Sequence, residues 1–228
     1  MNSPSGQPFV IAIDGPAGAG KSTVARGLAA RLGYTFLDSG ALYRTVALLA
    51  QEQNVAWDDT GGLVGIVRDL DIVFSGSGEK TRILAKGRDV TEAIRQADIS
   101  EGASRVSALA EVRTGLLDMQ RRVAQKDNVV AEGRDIGTVV FPTAQAKFFL
   151  MADPETRARR RTLELQAAGR PAVLAEVLAE MKVRDARDRE RALAPLRRAE
   201  DAVEIDSSDL SPEEVMQRML AVVRARGG

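Results

Sequence analysis

Eight consecutive residues, Gly15, Pro16, Ala17, Gly18, Ala19, Gly20, Lys21 and Ser22, satisfy the pattern G-x-x-x-x-G-K-[ST] at every position. No other feature of the chain limits its fold as strongly, because the pattern works only where a buried strand runs into a helix. Glycines let backbone N–H groups turn inward around a phosphate without Cβ clashes, and a helix opening at the lysine adds its positive end. The Lys21 amine is placed to reach the β- and γ-phosphates of a nucleoside triphosphate, and the Ser22 hydroxyl, with Thr23 beside it, to ligate Mg²⁺. Both flanks agree. The apolar run FVIAID (9–14) precedes the loop and reads as a buried parallel strand. Residues 21–31 follow with Val24, Leu28 and Leu32 on one helical face, and Gly33 stops them.

The rest of the chain continues this alternation. Residues 39–53 are helical by the spacing of Leu42, Val46 and Leu49, and 99–125 by Val106, Leu109, Val112, Leu116 and Met119. VVAEG (129–133), KFFLMA (147–152) and VEIDS (203–207) are further short strands. Asp153-Pro154-Glu155 is a helix start, and an Arg-rich helical stretch runs on to about Arg198, interrupted at Gly169-Arg-Pro171. Ser211-Pro-Glu-Glu214 is a capping box for a final helix. Strands alternating with helices predict a doubly wound parallel α/β sheet with helices on both faces. One stretch breaks the pattern. At 70–97, DIVF and RILAKGRDV are β-like runs around a hairpin-type turn at Ser75-Gly-Ser-Gly78, which marks an insertion. Residues 1–8 are polar and read as a frayed end.

Composition removes whole classes of chemistry. With no cysteine, the chain has no disulfide, thiolate metal site or Cys nucleophile. With no histidine it has no imidazole base and no His-ligated zinc. Catalysis must rest on carboxylates, Lys, Arg, hydroxyls, backbone amides and a borrowed metal. Thirty-two basic residues balance 32 acidic ones, which argues against nucleic acid as a partner. No stretch approaches the ~18 apolar residues a membrane helix needs, and no signal peptide is evident, so a cytoplasmic location is expected.

A phosphate loop alone leaves GTPases, motor ATPases, transporters and small-molecule kinases open. The base-reading Asn-Lys-x-Asp of GTPases is absent, and Asp58-Asp-Thr-Gly61 sits in a polar loop with no strand before it. VVAEG is an imperfect version of the apolar run ending in Asp-Glu that ATPases carry. Between Arg157 and Arg198 the chain has a net charge of +6, against −6 elsewhere. Such a segment is a solvated helix face, a nucleic-acid arm without its usual aromatics, or a basic flap that closes over phosphates. The run Arg184-Asp-Ala-Arg187-Asp188-Arg189-Glu-Arg191 favours the flap, because Arg184, Asp188 and Arg191 share one helical face.

Four collinear blocks, FVIAIDGPAGAGKST (9–23), LDSGALYR (37–44), AEGRDIGTVVFPTA (131–144) and RDARDRERALAPL (184–196), closely resemble the bacterial cytidylate kinases. The resemblance spans nearly the whole chain, and that family also carries an insertion in its nucleoside-monophosphate-binding region. It implies phosphoryl transfer from ATP to CMP or dCMP with Mg²⁺. It further implies a single kinase domain over 1–228 acting as a monomer. This would comprise a core (about 9–37, 127–153 and 199–228), a monophosphate-binding region (about 38–126) and a lid (about 154–198). By motif match, Gly15 to Thr23 and Arg157 would hold ATP. Ser39, Tyr43, Arg44, Ser104, Arg113, Arg134 and Asp135 would hold the acceptor, joined from the lid by Arg184, Asp188 and Arg191. Lys21, Arg134, Arg184 and Arg191 would be catalytic, and Ser22 the metal ligand. The family often has Asp where this chain has Glu132, and relatives often carry Gly-Thr at the end of the phosphate loop.

Overall fold

A strand buried on both faces must be apolar throughout, and two segments of the chain meet that demand. The computed structural model, which describes residues 8–75 and 82–228, places them at the centre of a five-stranded sheet. β1 (Val10–Asp14) and β6 (Val129–Gly133) are buried at every position and pair in parallel, Val10 opposite Val129 through Asp14 opposite Gly133. β7 (Ala146–Met151) lies on the other side of β1, with β2 (Thr35–Asp38) and β8 (Val203–Asp206) at the edges. The order is β2-β6-β1-β7-β8, all parallel, as the alternation predicts. Along β1, Ile11 and Ile13 face a core shared with α1 (Lys21–Leu32) and α8 (Pro212–Ala225). Val10 and Ala12 face the opposite core, with Leu37, Ile136 and Phe141. The sheet is therefore covered on both faces.

α2 (Ser39–Glu52), α3 (Thr60–Arg68), α4 (Ala97–Val106) and α5 (Ala110–Val123) enclose a separate apolar cluster around Leu42, Val46, Leu63, Ile99 and Leu116. A three-stranded antiparallel sheet is attached to it: β3 (Ile72–Ser75), β4 (Arg82–Ala85) and β5 (Arg88–Asp89). This is the inserted β segment. α6 (Pro154–Ala167) and α7 (Leu174–Glu190) form a helical hairpin held by Ala158, Val177 and Met181. No helix among the described residues is long and apolar enough to cross a membrane.

The structure corrects the sequence reading in several places. The helical stretch 99–125 is two helices, because the chain turns extended at Leu109 (ψ 127°) before α5 begins. RILAKGRDV is two strands joined by a tight turn, with Lys86 and Gly87 at φ 49° and 76°, the signs a two-residue hairpin loop requires. The turn at Ser75–Gly78 falls largely outside the described residues. Two elements are absent from the sequence reading altogether: β2, and α3, whose three glycines depress its helical signal. Asp59 caps α3 by accepting from Gly62 N–H at 3.1 Å, so the Asp-Asp-Thr-Gly stretch is a helix start.

The end of β1 is the most constrained point of the backbone. Gly15 has φ 151°, and a Cβ there would lie 1.9 Å from the Leu150 carbonyl oxygen of the neighbouring strand. Gly20 also has positive φ, 88°, but open space around it. Gly15→Ala is expected to cost about 3 kcal/mol or more by urea unfolding, whereas Gly20→Ala should cost only the left-handed penalty of about 1–2 kcal/mol. Equal losses would mean the β7 wall is not felt.

Beside Gly15, the buried Asp14 carboxylate accepts from the N–H groups of Ile136 and Gly137 at 2.8 and 2.7 Å. It thereby ties β1 to the wide turn Ile136–Val140. Burial pushes this carboxyl up to about 6 from 3.8, against the pull of those two hydrogen bonds. The folded state therefore binds more protons than the unfolded chain between those values, and this group's contribution to stability falls as pH rises through that window. Asp14→Asn should remove that decline and also cost about 1–3 kcal/mol, since one of the two N–H groups loses its acceptor. Urea unfolding across pH 4–6 checks it: wild-type and variant stabilities that stay parallel would refute the assignment.

Candidate active site

The carboxyl ends of β1, β2 and β6 open on one cavity of about 240 Å³, where an open parallel sheet places its ligands. The loop after β1 supplies Ala17, Gly18, Gly20, Lys21, Ser22 and Thr23 to its lining. α1 starts at Gly20 without a side-chain cap and without an acid in its first turn, so its leading N–H groups are left for an anion. Lys21 is buried and donates to the Pro16 carbonyl at 2.7 Å, which curls its amine back over the loop. Burial, followed by the nearby Arg134 guanidinium, pulls the Lys21 ammonium well below its ordinary value. A phosphate group, by its charge, would reverse that effect.

The acceptor-side residues named from sequence come from three places. Asp38 at the end of β2 caps α2, accepting from Ala41 N–H at 2.9 Å, while its second oxygen takes a 2.7 Å bond from Arg44. Ser39 is then the first residue of α2, buried and in the cavity wall with Tyr43 and Arg44. Tyr43 has the Arg113 guanidinium 5.8 Å above its ring, and burial pushes its hydroxyl up to about 12. The break between α4 and α5 turns both helices toward the cavity, bringing in Ser104, Ser107 and Arg113. Arg113 is tied down at both ends, donating to the Ser107 carbonyl at 3.2 Å and to Asp135.

The third group lies where the segment after β6 meets the end of α7. Arg134, just past β6, donates to Asp188 of α7 at 2.8 Å, and Arg191 lies 3.6 Å from Asp135. Burial works against the Arg134 charge, but the Asp188 carboxylate outweighs it and raises the guanidinium above its ordinary value. Arg184 has no such partner: burial, and then Arg134, lower it to about 10. Among the cavity residues there are seven cations and five carboxylates, an excess of two positive charges. Four polar atoms of these residues, the Nε of Arg44 and of Arg184, Nη2 of Arg191 and Oε1 of Glu132, are buried with no hydrogen-bond partner among the described residues. Three unpartnered N–H donors around one cavity is an arrangement that suits an oxyanion.

Most residues named from sequence thus converge, but not all. Gly15, Pro16 and Ala19 shape the loop from behind and do not line the cavity. Arg157 lies behind it too: its guanidinium pairs with Asp185 at 2.8 Å and donates to the Ala152 and Ala17 carbonyls, under the loop and not over it. Conversely, Arg161 and Glu164 of α6 line the cavity and were not singled out. Glu132, noted in the sequence only as a departure, is buried beside Lys21 and Ser22; burial, then Asp38, push its carboxyl up. Arg187 was passed over as well, although it lies three residues from Arg184 and four from Arg191 on the same helical stripe.

Comparison with known proteins agrees with this geometry. A family model described as cytidylate kinase matches residues 11–225. The chain is 52% identical over 217 residues to a cytidylate kinase of a Geobacter species, covering 95% of this chain and 93% of that one. It is 50% identical over 226 residues to the cytidylate kinase of Geobacter sulfurreducens, covering 99% and 97%. Among solved structures, shikimate kinase from Bacteroides thetaiotaomicron superposes with a TM-score of 0.50 at 16% identity, over 95% of this chain and 98% of that one, a likeness of fold. With a family model matched over nearly its whole length and relatives at half identity, the chain belongs to the cytidylate kinase family.

Proposed function

We propose that this chain transfers the γ-phosphoryl group of ATP to CMP or dCMP, giving ADP and CDP or dCDP. The observation that carries the reading is convergence: Lys21 and Ser22, the acceptor-side Ser39, Arg44 and Arg113, and the lid residues Arg184, Asp188 and Arg191 all line one cavity.

The missing histidine is no obstacle to this chemistry. A nucleoside monophosphate attacks through an oxygen that is already anionic at neutral pH, so no strong base is required. Catalysis reduces to holding donor and acceptor in line and offsetting the charge that spreads over the transferring group. Lys21 and the uncapped start of α1 face the donor phosphates in this reading. Arg44 meets the acceptor phosphate, and Arg134, Arg184 and Arg191 close on the phosphoryl group between them. Arg113, locked by donating to Asp135 and to the Ser107 carbonyl, presents with Asp135 a fixed polar edge to the base. The hairpin α6–α7, with the segment that follows it, is a lid over 154–198 that excludes water when shut.

Magnesium suits the residues present. The Ser22 hydroxyl and the Glu132 carboxylate, with its unpartnered Oε1, are hard oxygen donors at the foot of the phosphate loop. No cluster of three or more carboxylates fit to hold a metal occurs among the described residues, and Mg²⁺ characteristically takes only one or two protein ligands beside phosphate and water. When bound, the ion supplies positive charge to the phosphates.

A coupled ADP-release assay with ATP and each nucleoside monophosphate in turn tests the assignment. CMP and dCMP are expected to exceed AMP, GMP and UMP in kcat/KM by about tenfold or more, the discrimination one or two base-edge hydrogen bonds allow. Comparable rates for all acceptors, or ATP hydrolysis with none, would reject it. Lys21→Ala should lower kcat by about two to three orders of magnitude, the usual loss for one preorganised donor. Arg113→Ala should chiefly erode the choice of base; an equal loss on every acceptor would refute a base-reading role.

A further inference from the structure

Arg187 has a geometry of its own. It reaches from α7 across to α4, where its Nη1 lies 3.0 Å from the Glu101 carboxylate and 3.0 Å from Ser104 Oγ. That nitrogen carries two hydrogens, one for each acceptor. It is the lid's polar contact with the helix that supplies Ser104 to the cavity wall.

The consequence lies in the Ser104 hydroxyl. Elsewhere in the helices, Thr45, Ser100, Thr114 and Thr162 each donate to the carbonyl four residues back, at 2.9, 3.0, 3.0 and 2.9 Å. Such back-bonding uses up the hydroxyl proton. Ser104 makes no such bond among the described residues, although it is buried on α4. Its oxygen is instead loaded by a charged donor. A hydroxyl that accepts from a guanidinium turns its own proton away from it, and here the remaining open direction is the cavity. Glu101 keeps the Arg187 charge in place, so the donor does not swing off.

The geometry points to Arg187 as a positioning residue: from the lid, it fixes the Ser104 hydroxyl as a hydrogen-bond donor toward an acceptor atom of the incoming nucleoside. Lid contact and acceptor recognition are then a single event, since Ser104 is oriented only while α7 lies against α4. The inference rests on the reading that Ser104 meets the acceptor nucleoside.

The molecule carries its own reporter. Its single tryptophan, Trp57, packs on the far side of α4: a Cβ at Gly102 would come within 2.5 Å of the indole ring, and Arg105 lies 6.0 Å above it. Calorimetric titration with CMP, with Trp57 emission followed alongside, gives binding without turnover.

Arg187→Met keeps the side chain's length and removes its donors, while Arg187→Lys keeps charge and a donor. Arg187→Met is expected to weaken CMP binding and raise KM for CMP by about tenfold, the loss of one charge-assisted hydrogen bond. KM for ATP and kcat should change by less than about twofold, and Arg187→Lys should recover most of the loss. Ser104→Ala should raise KM for CMP similarly, and the double variant Ser104→Ala/Arg187→Met should be no worse than Ser104→Ala alone, because both remove one interaction. Additive losses, or equal rises in KM for ATP and CMP, would overturn the inference in favour of a plain lid contact. Wild-type affinity for CMP in Arg187→Met would overturn it outright. Failure of the underlying reading looks different: Ser104→Ala would leave KM for CMP unchanged, or wild type would show no CMP-dependent ADP release.

Discussion

Cations gathered in one place repel one another, and burying them strips away the water that would screen the repulsion. The cavity at the end of this sheet contains seven of them. Its architecture follows from the way five of the seven are compensated. Arg44 is paired with Asp38, Arg113 with Asp135 and Arg134 with Asp188, and behind the cavity wall Arg157 is paired with Asp185. The partners seldom share an element. Arg134 follows β6 and Asp188 lies on α7; Arg113 is on α5 and Asp135 follows β6; Arg157 is on α6 and Asp185 on α7. Charge compensation thus also joins the lid to the sheet and the inserted helices to both. Lys21 and Arg184, which have no carboxylate bound to them among the described residues, are both held below their ordinary values, first by burial.

Placement of these charges depends on the backbone of the central strands. β1 must be apolar to be buried on both sides, yet it ends in Asp14, whose two backbone hydrogen bonds hold the turn following Arg134 and Asp135. Gly15 then passes so close to Leu150 that no side chain fits. A rigid strand end thus sets the phosphate loop and the Arg134–Asp135 segment in one frame, which chemistry that works by alignment and charge requires.

How much of this was legible depended on whether the cause was local. The phosphate loop, the Asp153 and Ser211 caps and the apolar runs of β1, β6 and β7 announce themselves, because each is decided within a few residues. α3 did not, because its stability lies in burying Leu63, Ile66 and Val67, not in the propensity of TGGLVGIVR. The division of α4 from α5 was hidden as well. Periodicity runs on through 107–109, while the break is held by Ser107, which donates to the Ser104 carbonyl and accepts from Arg113. Arg157 and Arg187 show the same limit for the site. Both are lid arginines with nothing local to separate them, and only the fold sends Arg157 under the loop to Asp185 and Arg187 across to Ser104.

Under the proposed function, in which 154–198 shuts as a lid on charged substrates, the pairing pattern also limits the penalty of closing. A guanidinium left bare in an open cleft is hydrated, and its water must be removed before it can grip a phosphate. Arginines already desolvated against Asp188 and Asp135 have had that cost met by folding, and Nη2 of Arg191, 3.6 Å from Asp135, still has no hydrogen-bond partner among the described residues. A phosphate that enters then adds hydrogen bonds to groups already dry and oriented, so its binding strengthens the closed arrangement instead of having to create it. The same carboxylates that make the cavity stable enough to fold therefore make it selective: an uncharged ligand would gain nothing from the spare donors and would leave the excess positive charge uncompensated.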